Sequence, residues 1–196
     1  LQTLRHTAIV TKAADYKEYD KLIRLFTVDG GIITAAVKGV KKPNAKLKPA
    51  AQPFAFCEFV LTQNNGFNTV TGASPIESLF ALTYDPLRFI AASIMLEAAD
   101  IAVSSMPAPA LFVYLLKVFR AVLYQNKDPF AAAALFIARA LQHAGYGEVS
   151  GIPKAQTPET LPEISPEEHT AAKLLKKAAA LFEQYLQQKL NSALLL

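Results

Sequence analysis

The chain has 196 residues, 52% of them hydrophobic, a formal net charge of +4 and a single cysteine. One cysteine excludes an internal disulfide and a cysteine zinc cage, and no apolar run approaches the roughly 20 residues that span a bilayer. Leu1–Val10 lacks the basic start, apolar run and small-residue cleavage site of a secretory signal, so the sequence reads as a cytoplasmic protein. The charge is unevenly placed. Residues 1–50 carry ten Lys/Arg against four Asp/Glu, 51–84 hold only Glu58 and Glu77, and 85–196 carry ten of each sign. A basic N-terminal quarter is the asymmetry expected of contact with nucleic acid or an anionic surface.

From Thr3 to about Ser78 the pattern predicts strands. Thr7–Thr11, Lys21–Phe26 and Ile32–Lys38 are short, rich in β-branched residues and bounded by turn chemistry. Asp29-Gly30-Gly31 and Asn64-Asn65-Gly66 are turn signals, because these residue types tolerate positive φ. Phe54–Leu61 and Phe67–Thr71 flank the second turn as a hairpin. About five strands with no helical period between them predict a small closed barrel of the OB type. Cys57 falls in an apolar strand and reads as a buried, inert thiol, and Phe54, Phe56 and Phe59 read as core.

After Pro75 the period changes. Asp85-Pro86 opens a helix, with Leu87, Ile90, Ala91, Ile94, Met95 and Ala98 at i, i+3, i+4 spacing. A second helix spans about 109–125. Asp128-Pro129 opens a third, which runs to His143 before Gly145-Tyr146-Gly147 stops it. Residues 148–166 hold four prolines and read as an extended loop. Ser165-Pro166-Glu167-Glu168 then starts a final helix to about 190. The expected fold class is therefore α+β: an OB-fold-like β-barrel over residues 1–80, then an all-α helical bundle over 81–196.

The chemistry concentrates between the third and fourth strands. Lys38, Lys41, Lys42, Lys46 and Lys48 stud one short loop, in which Gly39 lets the backbone turn and Pro43 limits its freedom. Each ammonium can neutralise a phosphate and release a counterion. Arg5, Lys12, Lys17, Lys21 and Arg24 could extend this loop into a basic face. An ordinary solvated loop has the same composition, and the residues alone leave both readings open. Tyr16 and Tyr19 read as exposed, but Asp15, Glu18 and Asp20 beside them would repel phosphate, so a nucleic-acid path should avoid that turn. Nothing argues for an enzyme. His6, His143 and His169 fall in separate predicted elements, no phosphate-binding Gly-x-x-x-x-Gly-Lys-Ser/Thr loop is present, and no cofactor is expected.

A barrel followed by a bundle, with this loop, resembles the bacterial recombination-mediator family RecO. The likeness is carried by Tyr19-Asp20-Lys21-Leu22 before Leu25-Phe26-Thr27, by Gly31 with Val37–Lys42, and by Ala51-Gln52-Pro53-Phe54. Gly145-Tyr146-Gly147 and Tyr185-Leu186 with Leu190 and Ser192 extend it toward the end of the chain. The resemblance implies binding to single- and double-stranded DNA, annealing of complementary strands, and RecA loading together with RecR. It also implies that basic residues of the bundle, Lys117, Arg120 and Arg139 with Arg88, could rim a groove for the acidic tail of single-stranded-DNA-binding protein. Two departures are plain. Glu148–Pro166 has no cysteine where many family members carry a four-cysteine zinc element, so no metal is expected. The third helix, Ala133-Ala134-Leu135-Phe136-Ile137, keeps only the Phe of a basic and Phe-Glu pattern. Two other readings stand beside this one: a protein-interaction adaptor with little DNA affinity, and a membrane-surface or RNA-binding role for the basic face.

Overall fold

The computed structural model describes residues 2–103, 107–146, 158, 161–163 and 168–195. The chain divides into two compact units, Leu1–Phe80 and Ala81–Leu196.

The first unit holds β1 (Gln2–Tyr16), β2 (Asp20–Thr27), β3 (Ile32–Val37), β4 (Ala55–Asn64) and β5 (Phe67–Ser78). They close into a barrel in the order β1-β2-β3-β5-β4. Closure rests on two features. β1 is 15 residues long and serves two neighbours, pairing with β4 from Gln2 to Ile9 and with β2 from Ala8 to Tyr16. A register shift between Val10 and Lys12 accompanies this change of partner, as a bulge sharpens local bending and twist. The second feature is a short parallel pairing of β3 with β5, Ala35 with Asn68 and Ala36 with Thr69. The turns follow local chemistry: Gly30 has φ 86°, and Asn65 and Gly66 have φ 48° and 78°, both left-handed as a tight β4–β5 hairpin requires.

Alternation along the strands fills the barrel. Ala8 and Val10, Ile23 and Leu25, Ala35 and Val37, then Cys57, Phe59 and Leu61 with Val70, form one buried cluster. Cys57 is a free thiol inside it, and burial pushes its pKa up. Phe54 and Phe56 are buried too; Phe56 and Phe26 are both register partners of Ile9 on the opposite face of the strands.

The second unit holds α1 (Pro86–Ala102), α2 (Pro109–Tyr124), α3 (Pro129–His143) and α4 (Glu168–Leu186). The prolines at the starts of α1, α2 and α3 need no hydrogen bond there. Asp85 caps α1 by accepting from the Arg88 amide at 2.8 Å. Asp128, itself buried, caps α3 by accepting from the amides of Phe130 and Ala131 at 2.9 and 2.8 Å. α3 is the centre of the bundle, packed against α1, α2 and α4 and buried at every position from Pro129 to Leu141 except Arg139. Its alanines permit this close approach of three neighbours.

α4 ends at Leu186, four residues before the predicted end at 190. Gln187 takes φ 52°, the chain turns, and Leu190 is fully buried after the turn instead of extending the helical stripe. The carboxylate of Glu97 on α1 then accepts from the amides of Asn191 and Ser192 at 3.0 and 2.8 Å, and from Asn191 Nδ2 at 2.9 Å. Near the end of α3, the Tyr146 hydroxyl donates to the Tyr185 carbonyl at 2.8 Å, with the two rings 4.9 Å apart. The predicted start of α4 at Ser165-Pro166 and most of the 148–166 loop lie outside the described residues. Of that loop, Leu161 is buried and Pro162 accepts from the Asp128 amide at 2.9 Å.

Candidate nucleic-acid interface

The lysine loop is anchored by its apolar residues. Val40 and Ala51 are buried in the barrel cluster, and Leu47 and Ala50 pack against it. Successive backbone bonds fold the segment into turns: Lys42 N–H to Gly39 O, Ala45 to Lys42, Lys48 to Ala45 and Ala51 to Leu47, at 3.1–3.2 Å. Gly39 sits at φ 65°, a left-handed conformation that costs a side-chain-bearing residue about 1–2 kcal/mol. With Val40, Leu47 and Ala51 committed inward, Lys38, Lys41, Lys42, Lys46 and Lys48 all stand exposed. A short loop thus presents five cations on a fixed frame.

That frame is tied to the β1–β2 turn. The Gly39 amide donates to Asp20 Oδ1 at 2.7 Å, and the Lys41 amide donates to the Tyr19 carbonyl at 3.0 Å. Strand pairing explains the juxtaposition: Lys21 is the register partner of Val37 on β3 and of Asp15 on β1, so the start of the loop falls beside the turn. Two side-chain contacts follow. Lys41 Nζ lies 2.9 Å from Asp15 Oδ2, and Lys42 Nζ stands 5.6 Å from the centre of the Tyr19 ring. Hydrogen bonding and charge from Lys41, with a smaller contribution from Lys21, hold the Asp15 carboxyl below the usual carboxylate range. Lys17 makes a similar contact over Tyr16 at 5.2 Å.

The other N-terminal basic residues divide by strand face. Lys12 and Arg24 are register partners on β1 and β2, and Arg24 is in turn the partner of Thr34 on β3. Since Ile23 and Leu25 point into the barrel, this row points outward. Arg5 stands apart, on the part of β1 that pairs with β4, and its Nη1 meets Glu58 Oε1 at 2.7 Å. The structure therefore gathers the loop lysines with Lys21, sets Lys12 and Arg24 on the outer face of β1 and β2, and gives Arg5 its own acidic partner.

In the second unit, the Arg139 guanidinium lies 5.2 Å from the centre of the Tyr114 ring, which stacks on Phe136 at 6.3 Å. Arg139 Nη1 also reaches Gln142 Oε1 at 3.5 Å, and Lys117 and Arg120 are exposed on α2. Among the described residues no group of three or more His, Cys, Asp or Glu is placed to hold a metal ion, and no helix is long and apolar enough to cross a membrane. Sequence reasoning missed that Asp15 and Tyr19 are direct partners of the lysine loop. The usable signal was the strand register, since pairing Lys21 with both Asp15 and Val37 brings the two loops together.

Residues 1–79 match the family model described as "Recombination protein O N terminal". The chain is 34% identical over 146 residues to the DNA repair protein RecO of Heliobacterium modesticaldum, covering 74% of this chain and 53% of that protein. It is 32% identical over 140 residues to that of Desulfitobacterium hafniense (71% and 50%) and 30% over 119 residues to that of Shouchella clausii (60% and 46%). The chain spans about half the length of the curated relatives it matches. With a five-stranded barrel over the matched residues and a helical unit after it, the chain carries the N-terminal domain of the RecO family and is similar to RecO proteins beyond that domain.

Proposed function

We propose that the chain serves in DNA repair and recombination as a non-enzymatic mediator that binds single- and double-stranded DNA through the lysine loop and anneals complementary strands. The observation that carries this reading is the loop's construction: five lysines held outward by a buried apolar frame, in a barrel of the RecO family. Lysine contacts to phosphate carry no sequence information and leave base edges free, which suits annealing of any complementary pair. The cations screen the repulsion between two approaching strands.

By the same reading, the protein acts with RecR in loading RecA. The acidic tail of single-stranded-DNA-binding protein would meet the exposed cations Lys117, Arg120 and Arg139, the last of which lies against the ring of the buried Tyr114. The test is annealing of complementary oligonucleotides by wild type and by a Lys41→Glu, Lys42→Glu, Lys46→Glu variant. Annealing that disappears in the variant supports the proposal. Annealing that is equal in both removes the loop from the function.

A protein-interaction adaptor with weak DNA affinity is the second reading. It is favoured by the internal neutralisation of Lys41 by Asp15 and of Arg5 by Glu58, which lowers the charge offered to phosphate. That adaptor would anneal nothing and would keep its partner in the same triple variant.

A further inference from the structure

We propose that Tyr19 is a base-stacking residue that makes this barrel prefer single-stranded over double-stranded DNA. The inference rests on the DNA-binding reading above and assigns a second contact to the same site.

Tyr19 is 46% exposed, an unusual state for a ring whose surroundings are otherwise fixed. Its carbonyl is held by the Lys41 amide at 3.0 Å, and the next residue, Asp20, is held by the Gly39 amide at 2.7 Å. The Glu18 carboxylate beside Tyr19 pushes the hydroxyl's pKa up. Lys42 Nζ stands 5.6 Å from the ring centre. The aromatic surface is thus open to solvent but oriented before any ligand arrives, so little ordering is lost when a base stacks on it.

Charge decides what can approach. The turn bearing Tyr19 also carries Asp15, Glu18 and Asp20, while the loop packed beside it carries Lys38, Lys41, Lys42, Lys46 and Lys48. Phosphate is repelled by the first group and attracted by the second. A base is neutral and is excluded by neither. A single strand satisfies both by laying its phosphates along the lysines and turning a base onto Tyr19. If that base takes the face under Lys42, the displaced ammonium moves to the adjacent phosphate and remains paired. A duplex has no unstacked base to offer, and its second row of phosphates would face Asp15 and Glu18.

The test compares wild type, Tyr19→Ala and Tyr19→Phe for binding to a fluorescent oligothymidylate and to a fluorescent hairpin duplex, by anisotropy. Tyr19→Ala should weaken oligothymidylate binding about 5- to 140-fold, the range of one lost base stack, and leave duplex binding unchanged. Its salt dependence should keep the wild-type slope, because no charge is removed. Tyr19→Phe keeps the ring and should bind as wild type. Equal losses on both DNAs, or no loss on oligothymidylate while wild type binds it in a salt-dependent way, overturn the stacking role and leave the lysine-loop reading intact. Wild type that binds neither DNA overturns both.

Discussion

Lys41 and Asp15 are 26 residues apart in sequence, yet Lys41 Nζ lies 2.9 Å from Asp15 Oδ2. Before any DNA arrives, one of the five loop lysines already has a carboxylate in place of a phosphate. Replacing Asp15 by Asn should free that ammonium and remove a repulsive charge. Single-strand affinity should then rise roughly two- to five-fold, the scale of one exposed ion pair, and the salt dependence should steepen. A binding titration at two salt concentrations measures both.

The same pair sets a pH expectation. Because Lys41 holds the folded-state pKa of Asp15 below its ordinary value, the pair's contribution is present above the ordinary value and is lost only as pH falls through the lowered one. Mild acidification should therefore not release Lys41. In a pH series of DNA binding, any gain that Asp15→Asn abolishes should appear only below the usual carboxylate range.

Asp128 satisfies two orphan amides at the start of the most buried helix of the second unit. Asp128→Ala should cost about 1–2 kcal/mol in urea unfolding, and Asp128→Asn, which keeps an accepting oxygen, less.

Glu97 fastens the segment after α4 to α1. Burial acts to raise its pKa, but hydrogen bonds from Ser192 and Asn191 outweigh this and hold it below the ordinary value. The stabilisation is thus present above the unfolded-state pKa and fades as pH falls through the folded one. Glu97→Gln should speed amide hydrogen exchange at Asn191 and Ser192 at neutral pH. Once the intrinsic pH dependence of exchange is divided out, acidification should lower the protection of both amides in wild type and change the variant little.

Cys57 offers a check on the barrel itself. Buried among Ala8, Phe59 and Val70 with its pKa raised, the thiol should be inert to a thiol-specific reagent in the native state and react fully in denaturant. Rapid native labelling would contradict a closed barrel.

Features with a local cause were legible in the sequence. Asp85-Pro86 and Asp128-Pro129 announce helix starts because capping acts within four residues, and Asn65-Gly66 announces a hairpin because its φ preference is intrinsic. The strands over Lys21–Phe26 and Ile32–Lys38 were likewise legible, from their β-branched content and the turn residues that bound them. What escaped depended on distant pairing. The full length of β1 follows from serving two neighbours, which short-range periodicity cannot show. The apolar period runs past the end of α4 to Leu190, although Gln187 has already turned the chain. The lysine loop was visible by composition, whereas its partners Asp15 and Tyr19 follow from the β1–β2–β3 register.

The central claim is that the lysine loop grips phosphate, and the most direct measurement is single-strand DNA affinity across a salt series for wild type and the Lys41→Glu, Lys42→Glu, Lys46→Glu variant. With Lys41 tied to Asp15 and about four phosphates neutralised by the other loop lysines, the wild-type logarithmic slope should lie at roughly −2.8 for a single strand and roughly −3.6 for duplex, and the variant should lose both affinity and slope. Wild type that fails to bind at low salt, or a variant that binds with the wild-type slope, would contradict the account.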